Sequence, residues 1–158
     1  MGRELEERVR SLEDRNAIVE LWARYCELND TQDVDGLIAE VYAADAIEEY
    51  AMGHQRGRLR GHEEIKRYFA SELPACEWTA HVLGQTRVQV SGDSACGTHC
   101  ITASHWLRVA DADPMRAADW IGVGTITDEL RREPAGWRVA HRHRRFTGGA
   151  IAVGTPPR

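Results

Sequence analysis

At 158 residues, 42% apolar and 28% charged, the chain is long enough for one domain with a real core and has an ordinary globular composition. Its net charge of −5 gives no electrostatic case for nucleic acid, no apolar run approaches a membrane span, and the charged opening MGRELEERVR argues against a secretory leader. Cys26, Cys76, Cys96 and Cys100 lack metal-site or redox spacing and are expected to be reduced thiols in a cytoplasmic protein.

In chain order, residues 3–29 predict one long helix, polar at first and then amphipathic through Ile18, Leu21, Trp22 and Tyr25. The run Asn29-Asp30-Thr31-Gln32-Asp33 ends it and caps a short helix over 34–42, because Asn and Asp side chains satisfy free backbone groups at such junctions. Residues 43–50 read as a strand. Residues 52–61, with three glycines and Arg56, Arg58 and Arg60, read as a mobile loop whose arginines are solvated or cradle an anion at a pocket mouth. Residues 61–73 form a third helix, with Glu63 and Glu64 favourably placed in its first turn.

The stretch from Thr79 to Trp106 reads as a long antiparallel hairpin turning at Ser91-Gly92-Asp93. Pairing the strands symmetrically about Gly92 sets Gln85 opposite His99 and His81 opposite Ala103. Alternation then places His81, Gln85, His99 and His105 on one face, beside Ala95, Gly97, Ile101 and Ala103, and small residues next to histidines suggest a hollow. A two-residue turn or a bulge would reverse this parity. His105, near the strand end, reads as peripheral.

A second hairpin spans 119–131 and 137–146, and the Gly- and Pro-rich end GGAIAVGTPPR is expected to be irregular. One domain over 1–150 with a tail at 151–158 follows. Helices first and antiparallel strands afterwards argue for an α+β fold, with helices covering one face of a curved sheet.

Three motifs carry a resemblance: LNDTQDVDGL after the long helix, TAHVLGQTR on the first hairpin strand, and Gly97-Thr98-His99 with His105 on the return strand. Together they resemble the SnoaL-like families of the NTF2-like superfamily, and among them scytalone dehydratase. The resemblance implies a cone of curved, mixed sheet wrapped around an N-terminal helical layer. It also implies that Asp30, His81 and His99 stand at catalytic positions, with Tyr50 where that family holds a water or polarises a carbonyl. Asn29 replaces the family's tyrosine, and its penultimate-strand asparagine falls near Thr125. In the related bile-acid dehydratases an aspartate–histidine pair recurs, which favours Asp30 and His81.

Dehydration beside a carbonyl needs a base for the C–H proton, support for the enolate and an acid for the departing hydroxide. Histidine serves because its ordinary pKa, about 6.5, lies near working pH. The expectation is that Asp30 pairs with His81 or His99 while the other imidazole meets the substrate. Tyr50 polarises the carbonyl, and Tyr25, Trp22, Phe69 and Trp106 form an apolar wall, with no cofactor and no metal.

In the run HRHRR, His141 and His143 share a strand face but have no Cys or Asp at ligand spacing, so zinc is not expected. Its arginines split between faces. They form a solvated outer surface or an oligomer contact, unless one enters the pocket to bind an enolate oxygen.

The reading is a cofactor-independent lyase, a dehydratase of a hydroxylated cyclic or aromatic ketone. A polyketide- or steroid-type isomerase or cyclase is the alternative, and a noncatalytic ligand-binding or assembly module the third. The expected partners are a small hydrophobic substrate and a second or third copy of the chain, with no nucleic acid and no membrane.

Overall fold

The computed structural model describes residues 2–111, 113 and 115–151. Helix α1 runs Gly2–Asp30, exposed at first and then burying Ile18, Leu21, Trp22, Tyr25 and Leu28, the spacing of one helical stripe. Asp33, not Asp30, caps α2 (Val34–Val41): its Oδ1 accepts the Gly36 N–H at 2.8 Å. After β1 (Tyr42–Met52) the chain turns at Gly53, whose φ of 59° suits glycine, into β2 (Gln55–Arg60). The expected mobile loop is therefore an edge strand. Its arginines alternate with half-buried Gly57 and Leu59, so charge lines the exposed side and discourages edge-to-edge pairing.

Helix α3 (Gly61–Glu72) buries Ile65 and Phe69, and a short turn, Leu73–Ala75, leads into β3 (Cys76–Ser91) and β4 (Ser94–Leu107). The remaining hairpin is β5 (Trp120–Glu133) and β6 (Gly136–Ile151). The fold is α+β, with six strands in the order β2-β1-β6-β5-β4-β3 forming a curved, open, mixed sheet, parallel between β1 and β6. β6 outlasts expectation: Gly148–Ile151 pair with Val123–Trp120, so the first part of the predicted tail is sheet. Residues 152–158 lie outside the described residues.

The β3–β4 register departs from the symmetric pairing twice. A two-residue turn sets Ser91 opposite Ser94 and Thr86 opposite His99, and a bulge between Leu83 and Thr86 then restores His81 opposite Ala103. Gln85 is exposed as a result, while His81 keeps its expected side. The small residues are not all hollow either. Trp22 of α1 fills the space over Gly97, where an added Cβ would lie 2.7 Å from the indole.

Two arginines of the HRHRR run are core residues, contrary to the solvated reading. Arg142, fully buried, makes a bidentate pair with Asp128 at 2.8 and 2.7 Å, and Trp22 Nε1 donates to the same carboxylate at 2.8 Å. Arg144 lies 2.8 Å from buried Glu48, which also accepts the Tyr42 hydroxyl. Each guanidinium is tolerable inside because β5 or β1 supplies a carboxylate. Burial lowers both pKa values, but Asp128 and Glu48 outweigh it and hold both arginines charged.

Candidate active site

Asp30 is the last residue of α1, where a carboxylate stands against the helix dipole at a cost of about 0.3–1 kcal/mol. Contacts from β3 offset that cost. Asp30 Oδ1 lies 2.7 Å from His81 Nδ1 and accepts the Thr79 hydroxyl at 3.0 Å, while Oδ2 accepts the His81 backbone N–H at 3.0 Å. Thr79 also donates to the Asn29 carbonyl at 3.2 Å, tying the helix end to the strand. Because a carboxylate only accepts, the contact puts an N–H at His81 Nδ1 and leaves Nε2 as the ring nitrogen not engaged by Asp30.

The His81 side chain is 8% exposed and borders a cavity of about 50 Å³, with Tyr25, Asn29, Phe69, Ile101, Ala103, His105 and Arg144 among its other walls. Through the shared residues Met52, Glu72, Trp120 and Phe146 it adjoins a cleft of about 890 Å³ between the ends of β1–β2 and β5–β6. The cleft has the size of a small-molecule site, whereas the inner cavity admits only a functional group. Two imidazoles, one of them held by Asp30, and a guanidinium meet at the smaller space.

His105 faces His81 edge-on at 5.7 Å between centroids and leans on Trp120 at 4.3 Å. Arg144, though close to Glu48, lacks hydrogen-bond alignment with it, so donor capacity remains on a guanidinium at the cavity wall. Burial pushes the Tyr25 hydroxyl up to about 12 despite the nearby Arg144 and Arg142, which keeps that wall neutral.

The predicted residues divide. Asp30 and His81 meet, and Tyr25 and Phe69 line the cavity. His99 does not reach it. Its fully buried ring stacks on Trp22 at 4.4 Å, and neither nitrogen makes a hydrogen bond. Burial, then the Arg142 charge, push its pKa down to about 4 against the pull of Asp128, so it is a neutral core imidazole. Trp22 is therefore core as well. Tyr50 packs over Gly57 and beside Tyr68, at 5.0 Å between rings, next to the cavity but not in its wall.

Trp106 and Thr125 have the opposite strand parity from the cavity residues. Trp106 donates to the Arg116 carbonyl at 2.9 Å on the outer side, and Thr125 is exposed. His105 and Arg144, which the sequence reads as peripheral and as surface or pocket, both stand in the cavity wall, and their strand parity with Ala103 and with Arg142 is the signal that marks them.

A SnoaL-like domain model matches residues 10–143. The chain belongs to the SnoaL-like family. Solved structures of similar shape agree with this SnoaL-like assignment. An NTF2-like protein with a cystatin-like fold from Novosphingobium aromaticivorans has a TM-score of 0.69 at 28% identity, covering 92% of this chain and 90% of that one. A candidate scytalone dehydratase from the same species has a TM-score of 0.75 at 19% identity, covering 92% and 97%. A LinA-type3 hexachlorocyclohexane dehydrochlorinase from Novosphingobium barchaimii reaches 0.71 at 19%, again covering 92% and 97%. The last two likenesses are of fold alone. No curated protein matches this SnoaL-like domain. Among the described residues, no helix is long and apolar enough to cross a membrane.

Proposed function

We propose that this SnoaL-like domain is a cofactor-independent lyase that eliminates a leaving group beside an activated C–H bond, acting as a dehydratase on a hydroxylated cyclic or aromatic ketone. The observation that carries the reading is the double attachment of Asp30 to His81, ring and backbone, at the wall of a cavity that also holds a guanidinium.

The chemistry follows from the groups present. His81 Nε2 takes the proton from the carbon beside the carbonyl, and Asp30 stabilises the imidazolium that forms. The electron pair moves onto the carbonyl oxygen as an enolate, which Arg144 is placed to stabilise as its charge develops. Collapse of the enolate forms the C=C bond and breaks the C–O bond. His105, across from His81, delivers the proton that turns the departing hydroxide into water. The substrate's ring lies in the outer cleft and presents its reacting edge to the inner cavity. Support from the neighbours is chemical: dehydration and dehydrochlorination are both eliminations, each removing a C–H proton and a leaving group from adjacent carbons.

The test incubates the purified chain with a panel of small hydroxylated cyclic ketones and follows mass by chromatography. A product lighter by one water, absent with Asp30→Asn and His81→Ala, is the expected result. A product of unchanged mass would make the protein an isomerase or cyclase instead. No product and no α-proton exchange in D2O with any ketone would leave a ligand-binding module.

A further inference from the structure

The outer face of the sheet, away from the cavity, carries a second cluster that the elimination chemistry does not use. β1 and β6 pair in parallel with Glu49 opposite His143 and Ile47 opposite His141, so both imidazoles and the carboxylate share one face at adjacent levels. His143 Nδ1 lies 3.0 Å from Glu49 Oε2, His141 Nε2 lies 3.7 Å from the same oxygen, and the rings stand 4.4 Å apart. One donor atom from each of the three residues lies within 4.8 Å of the others.

We infer that Glu49, His141 and His143 form a binding site for one divalent transition-metal ion, Zn2+ by the chemistry of its ligands. Zinc bonds of about 2.0–2.2 Å at tetrahedral angles put neighbouring donor atoms roughly 3.4 Å apart, and the two imidazole–carboxylate distances, 3.0 and 3.7 Å, bracket that value. Two imidazoles and one carboxylate suit Zn2+, Co2+, Ni2+ or Cu2+ and not Ca2+ or Mg2+, which prefer all-oxygen shells.

Two further observations point to a ligand here. His141 Nε2 is closed off from solvent, makes no hydrogen bond and lies 3.7 Å from Glu49 Oε2, so a buried ring nitrogen of the cluster has no partner at bonding distance. Arg58 from β2 pairs with the other carboxylate oxygen, Oε1, at 2.8 Å. That contact orients Glu49 as an outer-shell partner does and leaves Oε2 for the metal. The His143 side chain is 53% exposed, so water can complete the coordination from the solvent side.

The missing third ligand in the sequence reading of His141 and His143 is thus Glu49, more than ninety positions away and delivered by parallel pairing. A bound ion would pin β1 to β6 at the one parallel junction of the described sheet and stiffen the β1–β2 hairpin that borders the outer cleft.

The experiment strips the full-length protein with a chelator and titrates it with Zn2+ by calorimetry, with thermal unfolding as a second readout. One Zn2+ per chain is expected with a Kd of about 10 µM or tighter, raising Tm by several degrees in a way that EDTA reverses. His143→Ala and Glu49→Gln should each weaken binding about tenfold or more, while Cys96→Ser and His54→Ala leave it unchanged. With Co2+, visible bands should appear without the near-ultraviolet absorption of a thiolate ligand. Absence of saturable binding below about 1 mM would overturn the site. So would binding that survives His143→Ala or disappears in Cys96→Ser.

Discussion

Asp30 holds His81 at two points, accepting from the ring with one oxygen and from the backbone N–H with the other, so the imidazole's position and its proton location are set by a single carboxylate. The pair is predicted to behave as a unit. Asp30→Asn and His81→Ala should each lower turnover on the order of a hundredfold or more, and the double variant should be little worse than His81→Ala. Steady-state kinetics on the three proteins measures this; additive losses would mean that the residues act separately.

The two β4 histidines should separate cleanly. His105 shares the cavity wall with His81, whereas His99 is covered by Trp22, so His105→Ala should lower kcat at least tenfold and His99→Phe should leave KM and kcat within a few-fold. Loss of activity in His99→Phe with an intact fold would return that ring to the chemistry.

His99 should instead shape stability against pH. Its pKa is about 4 when folded, compared with roughly 6.5 in an unfolded chain. Between those values the unfolded state takes up a proton that the folded state refuses. The stability contribution is therefore complete above about pH 6.5 and is lost as pH falls toward 4, roughly 3 kcal/mol over the window. Urea unfolding at pH 7 and pH 4.5 should show a smaller acid-side drop in His99→Phe than in the parent, and equal drops would refute the assignment.

Arg142 and Asp128 form a fully buried ion pair within a small network that Trp22 and Tyr42 join. Arg142→Met leaves the buried Asp128 charge without its counter-ion, with Trp22 as its remaining side-chain donor, and should cost about 3–5 kcal/mol, whereas Arg142→Met with Asp128→Leu should recover most of that loss. Denaturant midpoints of the single and double variants are the measurement, and a double variant no better than the single would show that the network beyond the pair matters more.

Gly97 illustrates packing between helix and sheet. A methyl there would meet Trp22 at 2.7 Å and the Arg87 carbonyl at 2.8 Å, so Gly97→Ala should destabilise by about 1–3 kcal/mol. Gly92→Ala, with open space around it, would add only the strain of a φ of 59° and serves as the comparison in the same unfolding assay.

Local patterns were enough for much of this protein. The stripe from Ile18 to Leu28, the alternation along β4 and the turn residues at Gly92 and Gly136 specify helix, strand facing and hairpins, because each depends only on neighbours a few residues away. The α+β class was legible on that basis, whereas the meeting of Asp30 with His81 was expected only from the resemblance to the SnoaL-like families. Even there, His81 kept its predicted side through two departures that cancelled, a shorter turn and a compensating bulge.

The rest depended on partners distant in the chain. Whether Arg142 and Arg144 were surface or core turned on Asp128 and Glu48, carboxylates on other strands that make a buried guanidinium tolerable. Which β4 histidine met the cavity turned on where Trp22 of α1 came to rest, and the outer-face cluster required Glu49 to pair across β1 and β6. Periodicity sets the side of a strand on which a residue lies, but only tertiary packing decides what it meets there, because burial and charge pairing are properties of segments brought together from far apart.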